Sequence, residues 1–343
     1  MSGTSLDGID LTQLQFHISP DNKWTFKILK GETIAYPSIW KNKLKEAISF
    51  SEEELTILNE NYTHYLAKVI NSFIQKHALT NLDAVCSHGH TILHKPDESI
   101  TLQIGNLPKL ANLINQRVVC DFRVQDVALG GQGAPLVPIG DRLLFNDFDC
   151  CLNLGGFANI SSEVNGKRIA YDICEVNIVL NYLAEKLGFL YDDCGNLAKN
   201  GKLDKELETK LNELKYYNEN PPKSLGLEWV KEYVFPILEA SPTSIEDKLR
   251  TVTEHIAFQI AKQISINASV LITGGGAYNI FLISRIQFYK KLHIINASSI
   301  LIDYKEALVF GLLGVLKLRK EINCLASVTG AKRNHSSGII FLP

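Results

Sequence analysis

Ser2-Gly3-Thr4-Ser5-Leu6-Asp7-Gly8 is a glycine-bearing turn that runs straight into Ile9 to Ile18, an apolar, β-branched stretch that reads as a strand. It has two echoes farther along the chain, Asn153-Leu154-Gly155-Gly156-Phe157-Ala158-Asn159 and Thr273-Gly274-Gly275-Gly276-Ala277-Tyr278-Asn279. Glycine places no Cβ between its peptide N–H and an approaching ligand, and the flanking hydroxyls and amides add donors, so turns of this make suit phosphate oxygens. One Gly-Gly pair alone is usually a tight turn. Three such turns, each beside a strand, argue for a shared nucleotide. None is followed by Gly-Lys-Ser/Thr at Walker A spacing and none fits G-x-G-x-x-G, which disfavours a P-loop enzyme and a dehydrogenase.

Working outward, Trp24 to Leu29 reads as the hairpin partner of Ile9 to Ile18. Ser51 with Glu54 forms a capping box, and Leu55, Leu58, Tyr62, Tyr65, Leu66, Val69 and Phe73 then recur at helical spacing. Ala84 to Cys86 and Val118 to Cys120 are short strands that deliver Ser87-His88-Gly89-His90 and Asp121-Phe122-Arg123 at their carboxyl ends, where open α/β sheets place ligands. Gly130-Gly131-Gln132-Gly133-Ala134-Pro135 can hold neither helix nor central strand, and a lobe boundary is expected near it. A second β-rich start follows at Cys150 to Leu154. Ile173 to Leu187, Leu203 to Leu214 and Ile245 to Ile264 read as helices, Val270 to Thr273 as a buried strand, and Lys305 to Arg319 as a helix buried on most sides. The division expected is 1–125 for an N-terminal lobe, completed by the C-terminal segment 312–343, and 126–311 for a C-terminal lobe. Met1 opens directly on a turn with nothing ahead to hold it, so a strand before Met1 is expected.

The 343 residues exceed what one core comfortably organises, which fits two domains. A formal charge of -2 with mixed signs shows no basic stripe for nucleic acid or an anionic membrane, leaving a small molecule as the expected partner. The 7 cysteines include no C-x-x-C pair and read as reduced thiols. With no signal peptide and no apolar run of about 20 residues, a cytoplasmic protein is expected.

Five segments carry a family resemblance: Met1 to Asp10, Asp121-Phe122-Arg123, Gly130 to Pro138, Asn153-Leu154-Gly155-Gly156 with Asn159, and Gly274 to Asn279. In order and over almost the whole chain, they resemble the anhydro-N-acetylmuramic acid kinases. These are α/β enzymes of the two-lobed, actin-like ATPase fold, with duplicated ribonuclease-H-like domains and an interlobe nucleotide cleft. The resemblance implies ATP with Mg²⁺ as cofactors, and a kinase that hydrolyses and phosphorylates 1,6-anhydro-N-acetylmuramic acid to N-acetylmuramic acid 6-phosphate in cell-wall recycling. A homodimer is compatible with it.

By the same resemblance, Gly3, Thr4, Ser5, Leu6, Asp7, Gly8, Ile9 and Asp10 form a first ATP-binding segment, with Asp7 also near Mg²⁺. Asn153, Gly155, Gly156 and Asn159 form the second, and Gly274, Gly275, Gly276 and Asn279 the third. Asp172 is implied as the general base, while His88, Arg123, Asp126, Gln132 and Glu306 are implied at the sugar. Arg123 suits a lactyl carboxylate because a guanidinium offers a two-toothed fork. Around Asp172 this chain reads Asp172-Ile173-Cys174-Glu175-Val176-Asn177 where the family has Asp-Thr-Gly-Pro-Gly-Asn, which puts bulk in place of small residues. Glu175 is expected to face solvent. Two alternatives follow from the altered loop: a kinase for another anhydro sugar such as levoglucosan, and a nucleotide-binding regulator without turnover. His88, His90 and His94 are read as polar or surface residues rather than zinc ligands.

Overall fold

At Ser51 the computed structural model, which describes residues 1–3 and 6–343 with the side chain of Asn296 left aside, shows the capping box in full. The Ser51 hydroxyl accepts the Glu54 N–H, and the Glu54 carboxylate accepts the Ser51 N–H at 2.8 Å, so two orphan donors of the first turn are met reciprocally. Helix Glu52–Lys76 follows and buries Leu55, Leu58, Tyr62, Leu66, Val69, Ile70 and Phe73 along one face.

The described strands, in chain order, are β1 Gly8–Ile18, β2 Trp24–Ala35, β3 Val85–Ser87, β4 His90–Lys95, β5 Ile100–Ile104, β6 Val118–Cys120, β7 Cys150–Leu154, β8 Phe157–Val164, β9 Lys167–Glu175, β10 Ser269–Thr273, β11 His293–Asn296 and β12 Ile339–Phe341. The chain separates into two compact units, residues 1–144 with 304–343, and residues 145–303. Sequence places the divisions at 125/126 and 311/312. The difference has a local cause. The Asp126 carboxylate accepts the Gly133 N–H at 2.7 Å and the Thr329 hydroxyl at 2.8 Å, and the Gln132 N–H donates to the Thr329 carbonyl at 2.8 Å, which ties the glycine-rich stretch into the first unit. Lys305 is likewise held there by Asp141 at 2.8 Å.

In the first unit β1 and β2 form a long antiparallel hairpin, β3 and β6 run parallel, and β12 adds antiparallel to β6. β4 and β5 form a second hairpin. Ser2 bridges to both Ile9 and His90. In the second unit the sheet order is β11-β10-β7-β8-β9, with β7, β8 and β9 as an antiparallel meander and β10 and β11 parallel to β7. Counted within the unit, the strands lie 3-2-1-4-5, the order of a ribonuclease-H-like sheet. Leu152, Leu154, Ile173, Val179, Leu249, Val252, Ile256 and Val270 fill its core.

Ile173 to Glu175, expected as the start of a helix, instead completes β9: Phe157 pairs with Glu175 and Ala158 with Cys174 across β8. Pairing with β8, the other arm of the same hairpin, overrides the apolar spacing there, and helix Asn177–Glu185 begins only afterwards. Among the described residues no helix is long and apolar enough to cross a membrane.

Candidate functional site

β7 and β10 lie side by side in parallel with Asn153 opposite Thr273, so the second and third glycine turns emerge together at the carboxyl ends of two adjacent strands. That is where ligands sit in sheets of this kind. The Gly155-Gly156 tip joins β7 to β8, with Asn153 facing Asn159 across the hairpin. Its carbonyls face the helix beyond β9: Gly156 accepts from Val176 at 2.8 Å and Ile178 at 3.3 Å, and Gly155 from Asn177 at 3.2 Å. The tip thus satisfies donors at the start of helix Asn177–Glu185 that have no partner within the helix.

The glycines of these turns have different reasons to be there. Gly274 has φ 82°, and a Cβ on it would come within 2.7 Å of both Asn153 Oδ1 and the Leu154 carbonyl. A Cβ on Gly276 would come within 2.7 Å of the Leu154 Cβ. Both are demanded by the packing of one turn on the other. Gly155 and Gly156 have no left-handed φ, and added Cβ atoms would meet nothing nearer than 3.3 Å and 3.9 Å respectively. At Gly155 the Asn153 amide would have to give way by a few tenths of an ångström; at Gly156 neither conformation nor packing asks for glycine, whereas close approach of a ligand does. Gly275 is similarly open, with Asn177 Nδ2 as its nearest neighbour at 3.7 Å.

Asn279 is spent inside the protein, since its side-chain oxygen accepts the Leu282 N–H at 2.9 Å and caps helix Ile280–Tyr289. Two residues outside the expected set join this end of the sheet. Asn177 donates to the Leu154 carbonyl at 3.3 Å, and the buried Thr273 hydroxyl has no hydrogen-bond partner among the described residues. The Asn of the Asp-to-Asn segment was the available signal for the first; the Thr before three glycines, for the second.

Asp172 lies on β9 opposite Asn159, next to a register shift at Ala158/Asn159. It is half-buried. Its Oδ2 accepts the Leu225 N–H at 2.9 Å, its N–H donates to the Lys223 carbonyl at 3.2 Å, and its own carbonyl accepts the Tyr216 hydroxyl at 2.7 Å. Burial raises the Asp172 carboxyl above its ordinary value, and the Leu225 N–H opposes that in part. A carboxylate anchored through one oxygen, and made a stronger base by its surroundings, is suited to accept a proton.

Glu175 does not face solvent. It is fully buried, accepting the Tyr217 hydroxyl at 2.6 Å, with His255 Nε2 at 3.5 Å from its other oxygen. Cys174 and Val176 are also fully buried, so the bulk that replaces the small residues of the family's segment goes into the core of the unit.

In the first unit, Thr4 and Ser5 lie outside the described residues. Gly3 accepts the Leu6 N–H at 3.4 Å, and Asp7 is exposed. Gly8 is needed by the hairpin, because a Cβ there would stand 2.5 Å from the Ile34 carbonyl. Ile9 is buried in the core, leaving only its backbone for a ligand, and Asp10 accepts the Thr33 hydroxyl at 2.7 Å.

Of the expected sugar residues, His88 and Arg123 meet directly: Arg123 Nε donates to His88 Nε2 at 3.0 Å, and Nη1 donates to the Gly133 carbonyl at 2.6 Å. Burial holds His88 well below the usual histidine range, and the guanidinium pushes it further. Burial lowers Arg123 to about 10, with the Glu306 carboxylate opposing. Glu306 is open to water at its surface yet crowded enough by protein that its carboxyl is raised; Arg123 pulls it down and Asp10 pushes it up. Gln132 exposes its side chain. Asp126 differs from the expectation, being fully buried, with Thr329, Gly133 and the Cys324 thiol (3.0 Å) on its carboxylate. It secures the loop that carries Gln132 and Gly133.

His90 is buried and bonds through Nδ1 to the Ser2 hydroxyl at 2.8 Å, which continues to Tyr36 at 2.7 Å; burial lowers its pKa to about 4. His94 meets Thr101 at 3.0 Å. Among the described residues, Asp126, Cys324 and His335 alone are near enough together to ligate a metal. Burial and Asp126 raise the Cys324 thiol, and Asp126 is already hydrogen-bonded, so the group reads as a buried hydrogen-bond cluster.

The family model for anhydro-N-acetylmuramic acid kinase matches residues 1–343. A protein of that name from Mannheimia succiniciproducens is 35% identical over 99% of this chain and 97% of its own length, and one from Bacillus cereus is 30% identical over 100% and 98%. Among solved structures, component A of the Acidaminococcus fermentans (R)-2-hydroxyglutaryl-CoA dehydratase is similar at 17% identity and a TM-score of 0.35, covering 54% of this chain and 68% of its own, a likeness too slight to argue from.

Proposed function

The chain belongs to the anhydro-N-acetylmuramic acid kinase family, and from that premise we propose that it uses ATP to open and phosphorylate 1,6-anhydro-N-acetylmuramic acid, yielding the 6-phosphate. The observation that carries the reading is Asp172, a half-buried carboxylate of raised pKa fixed by the Leu225 N–H, on the strand beside the hairpin whose tip residue Gly156 is required as glycine by neither conformation nor packing. In the proposed reaction a water attacks the anomeric carbon while Asp172 takes its proton. The bond from that carbon to the bridging O6 breaks, and O6 bonds to the γ-phosphorus as ADP leaves.

The Gly155-Gly156 and Gly274–Gly276 turns are assigned to ATP, with Thr273 and Asn177 added to the expected set. The segment Gly3 to Asp10, whose Thr4 and Ser5 lie outside the described residues, is assigned to the phosphates. Asp7, an exposed carboxylate, offers the hard oxygen that Mg²⁺ takes, and the ion when bound with ATP spreads the charge of the phosphates. His88, Arg123 and Glu306 are assigned to the sugar, Arg123 facing the lactyl carboxylate with the nitrogen not bound to His88 or Gly133. Seven free cysteines and a dependence on ATP favour the cytoplasm.

Because Cys174, Glu175 and Val176 turn inward, the altered segment gives no reason to expect a smaller sugar. The test is ADP release with 1,6-anhydro-N-acetylmuramic acid against levoglucosan. Turnover on the former should exceed that on the latter; equal or faster turnover on levoglucosan rejects the substrate, and thermal protection by ATP without turnover on either rejects the kinase.

A further inference from the structure

β9 ends the sheet of the second unit, so no described strand covers its outer edge. The chain from Tyr216 to Leu225 lies there instead. The Asp172 N–H donates to the Lys223 carbonyl at 3.2 Å and the Asp172 carbonyl accepts the Tyr216 hydroxyl at 2.7 Å, so both backbone groups of Asp172 are met by that stretch. The Leu225 N–H reaches its carboxylate. Lys223 closes the stretch on itself, with Nζ donating to the Tyr216 carbonyl at 2.9 Å and standing 4.4 Å from the centre of the Tyr216 ring.

What pins this cover is the neighbouring residue. Tyr217 follows Tyr216 in the turn Lys215–Asn218 and points into the core, where its hydroxyl donates to Glu175 Oε2 at 2.6 Å. Burial raises the Tyr217 pKa well above its ordinary value and Glu175 adds to the rise, so the hydroxyl keeps its proton and stays a donor. The other Glu175 oxygen faces His255 Nε2 at 3.5 Å, and neither atom has a hydrogen-bond partner among the described residues. His255 is itself fixed, since Nδ1 meets Asn212 Oδ1 at 2.8 Å and that oxygen also accepts from Gln259 Nε2 at 2.8 Å. Glu175 thus stands between the turn and helix Ile245–Gln263. It occupies the place of the proline in the family's Asp-Thr-Gly-Pro-Gly-Asn segment. A proline stiffens the chain through its ring; a glutamate does so only through what its side chain binds.

We infer that Glu175 is a positioning residue: through Tyr217 it latches the stretch from Tyr216 to Leu225 onto β9, and that stretch holds the Asp172 carboxylate in place. The inference rests on the reading of Asp172 as the base and adds the group that aims it. Cys174 of β9, Tyr216 and Tyr217 of the turn, Glu219 and Lys223 beyond it, and His255 of the helix are the titratable groups around the two carboxylates.

Tyr217→Phe removes one hydroxyl and keeps the ring. It should lower kcat for the anhydro sugar about 10- to 100-fold while KM for ATP stays within about 2-fold. The acid limb of kcat/KM should move down toward the ordinary 3.8 of an aspartate, because burial under the cover is what raises Asp172. Glu175→Ala should do the same, and Glu175→Gln, which keeps an acceptor for Tyr217, should recover most of the lost kcat and return the limb. A lower thermal midpoint in Tyr217→Phe with kcat and the limb unmoved would leave Glu175 a packing role only and overturn the inference. Hydrogen exchange at the Leu225 amide reads the latch without turnover, and in Tyr217→Phe it should be at least about 10-fold faster than in the parent. Equal exchange overturns the latch whatever Asp172 does. An Asp172→Asn variant with the parent's kcat would instead remove the base, and with it the positioning role, while the faster exchange in Tyr217→Phe still stood.

Discussion

Arg123 donates Nε to Nε2 of His88 at 3.0 Å while the other ring nitrogen faces the Gly89 carbonyl at 3.0 Å, which places the His88 proton on Nδ1 and keeps the ring neutral. A neutral imidazole holds the guanidinium in place without cancelling its charge, and the charge stays available to an anionic ligand. Arg123→Lys should therefore lower kcat/KM for the acidic anhydro sugar about 10- to 100-fold, the worth of one or two charge-assisted hydrogen bonds, with KM for ATP unchanged. Initial rates with each substrate varied in turn check this.

Substitution of the glycines should separate fold from ligand. Gly274→Ala and Gly276→Ala put a methyl where 2.7 Å is free, and each should cost about 1–3 kcal/mol in denaturant unfolding. Gly156→Ala should leave stability within about 0.5 kcal/mol while raising KM for ATP several-fold. A Gly156→Ala variant as unstable as Gly276→Ala would remove the argument that the tip is kept open for a ligand.

Asp172→Asn should reduce kcat by about 10²- to 10⁴-fold and keep the thermal shift given by ATP. Because burial raises the Asp172 carboxyl, the acid limb of the kcat/KM profile should lie above the ordinary 3.8 of an aspartate. Turnover appears as pH rises through the raised pKa and the carboxylate forms. Residual activity of the Asn variant should not follow that limb.

His90 makes stability depend on pH. Its pKa is lowered from 6.5 to about 4 by burial, so between those values the unfolded chain binds a proton that the folded chain does not. Stability is then complete above pH 6.5 and lost as pH falls toward 4, by on the order of 3 kcal/mol for this group. In His90→Asn, urea midpoints measured across that window should fall less steeply than in the parent.

Glu175→Ala leaves the Tyr217 hydroxyl without its acceptor and His255 Nε2 without the facing carboxylate in a closed core, and should cost about 3 kcal/mol by chemical denaturation. Glu175→Gln, which keeps an acceptor for Tyr217, should cost less.

Local chemistry made much of this molecule legible before any coordinates. Ser51 and Glu54 announce a helix start between themselves, and the hairpin of β1 with β2 is written in consecutive residues. The turns around Gly155 and Gly274 are equally local, and their placement on adjacent strands follows once β10 pairs with β7. What escaped depends on partners that the spacing of a segment's own residues does not reveal. Ile173 to Glu175 has the apolar spacing of a helix start, but β8 claims its backbone. Glu175 looks like a loop carboxylate until Tyr217 and His255 close over it. The stretch from Gly130 looks like a connector because its anchor, Thr329, comes near the other end of the chain. Asn279 and Asp126 carry polar side chains in the right motifs, and only the geometry shows that helix and loop have already used them.

The Gly155-Gly156 tip is roped by its carbonyls to Val176, Asn177 and Ile178, directly after the strand that carries Asp172. A phosphate pressing on the tip would load that rope, and the load would arrive at the strand's end within the same compact unit. Seating the nucleotide and aiming the base then become one mechanical event.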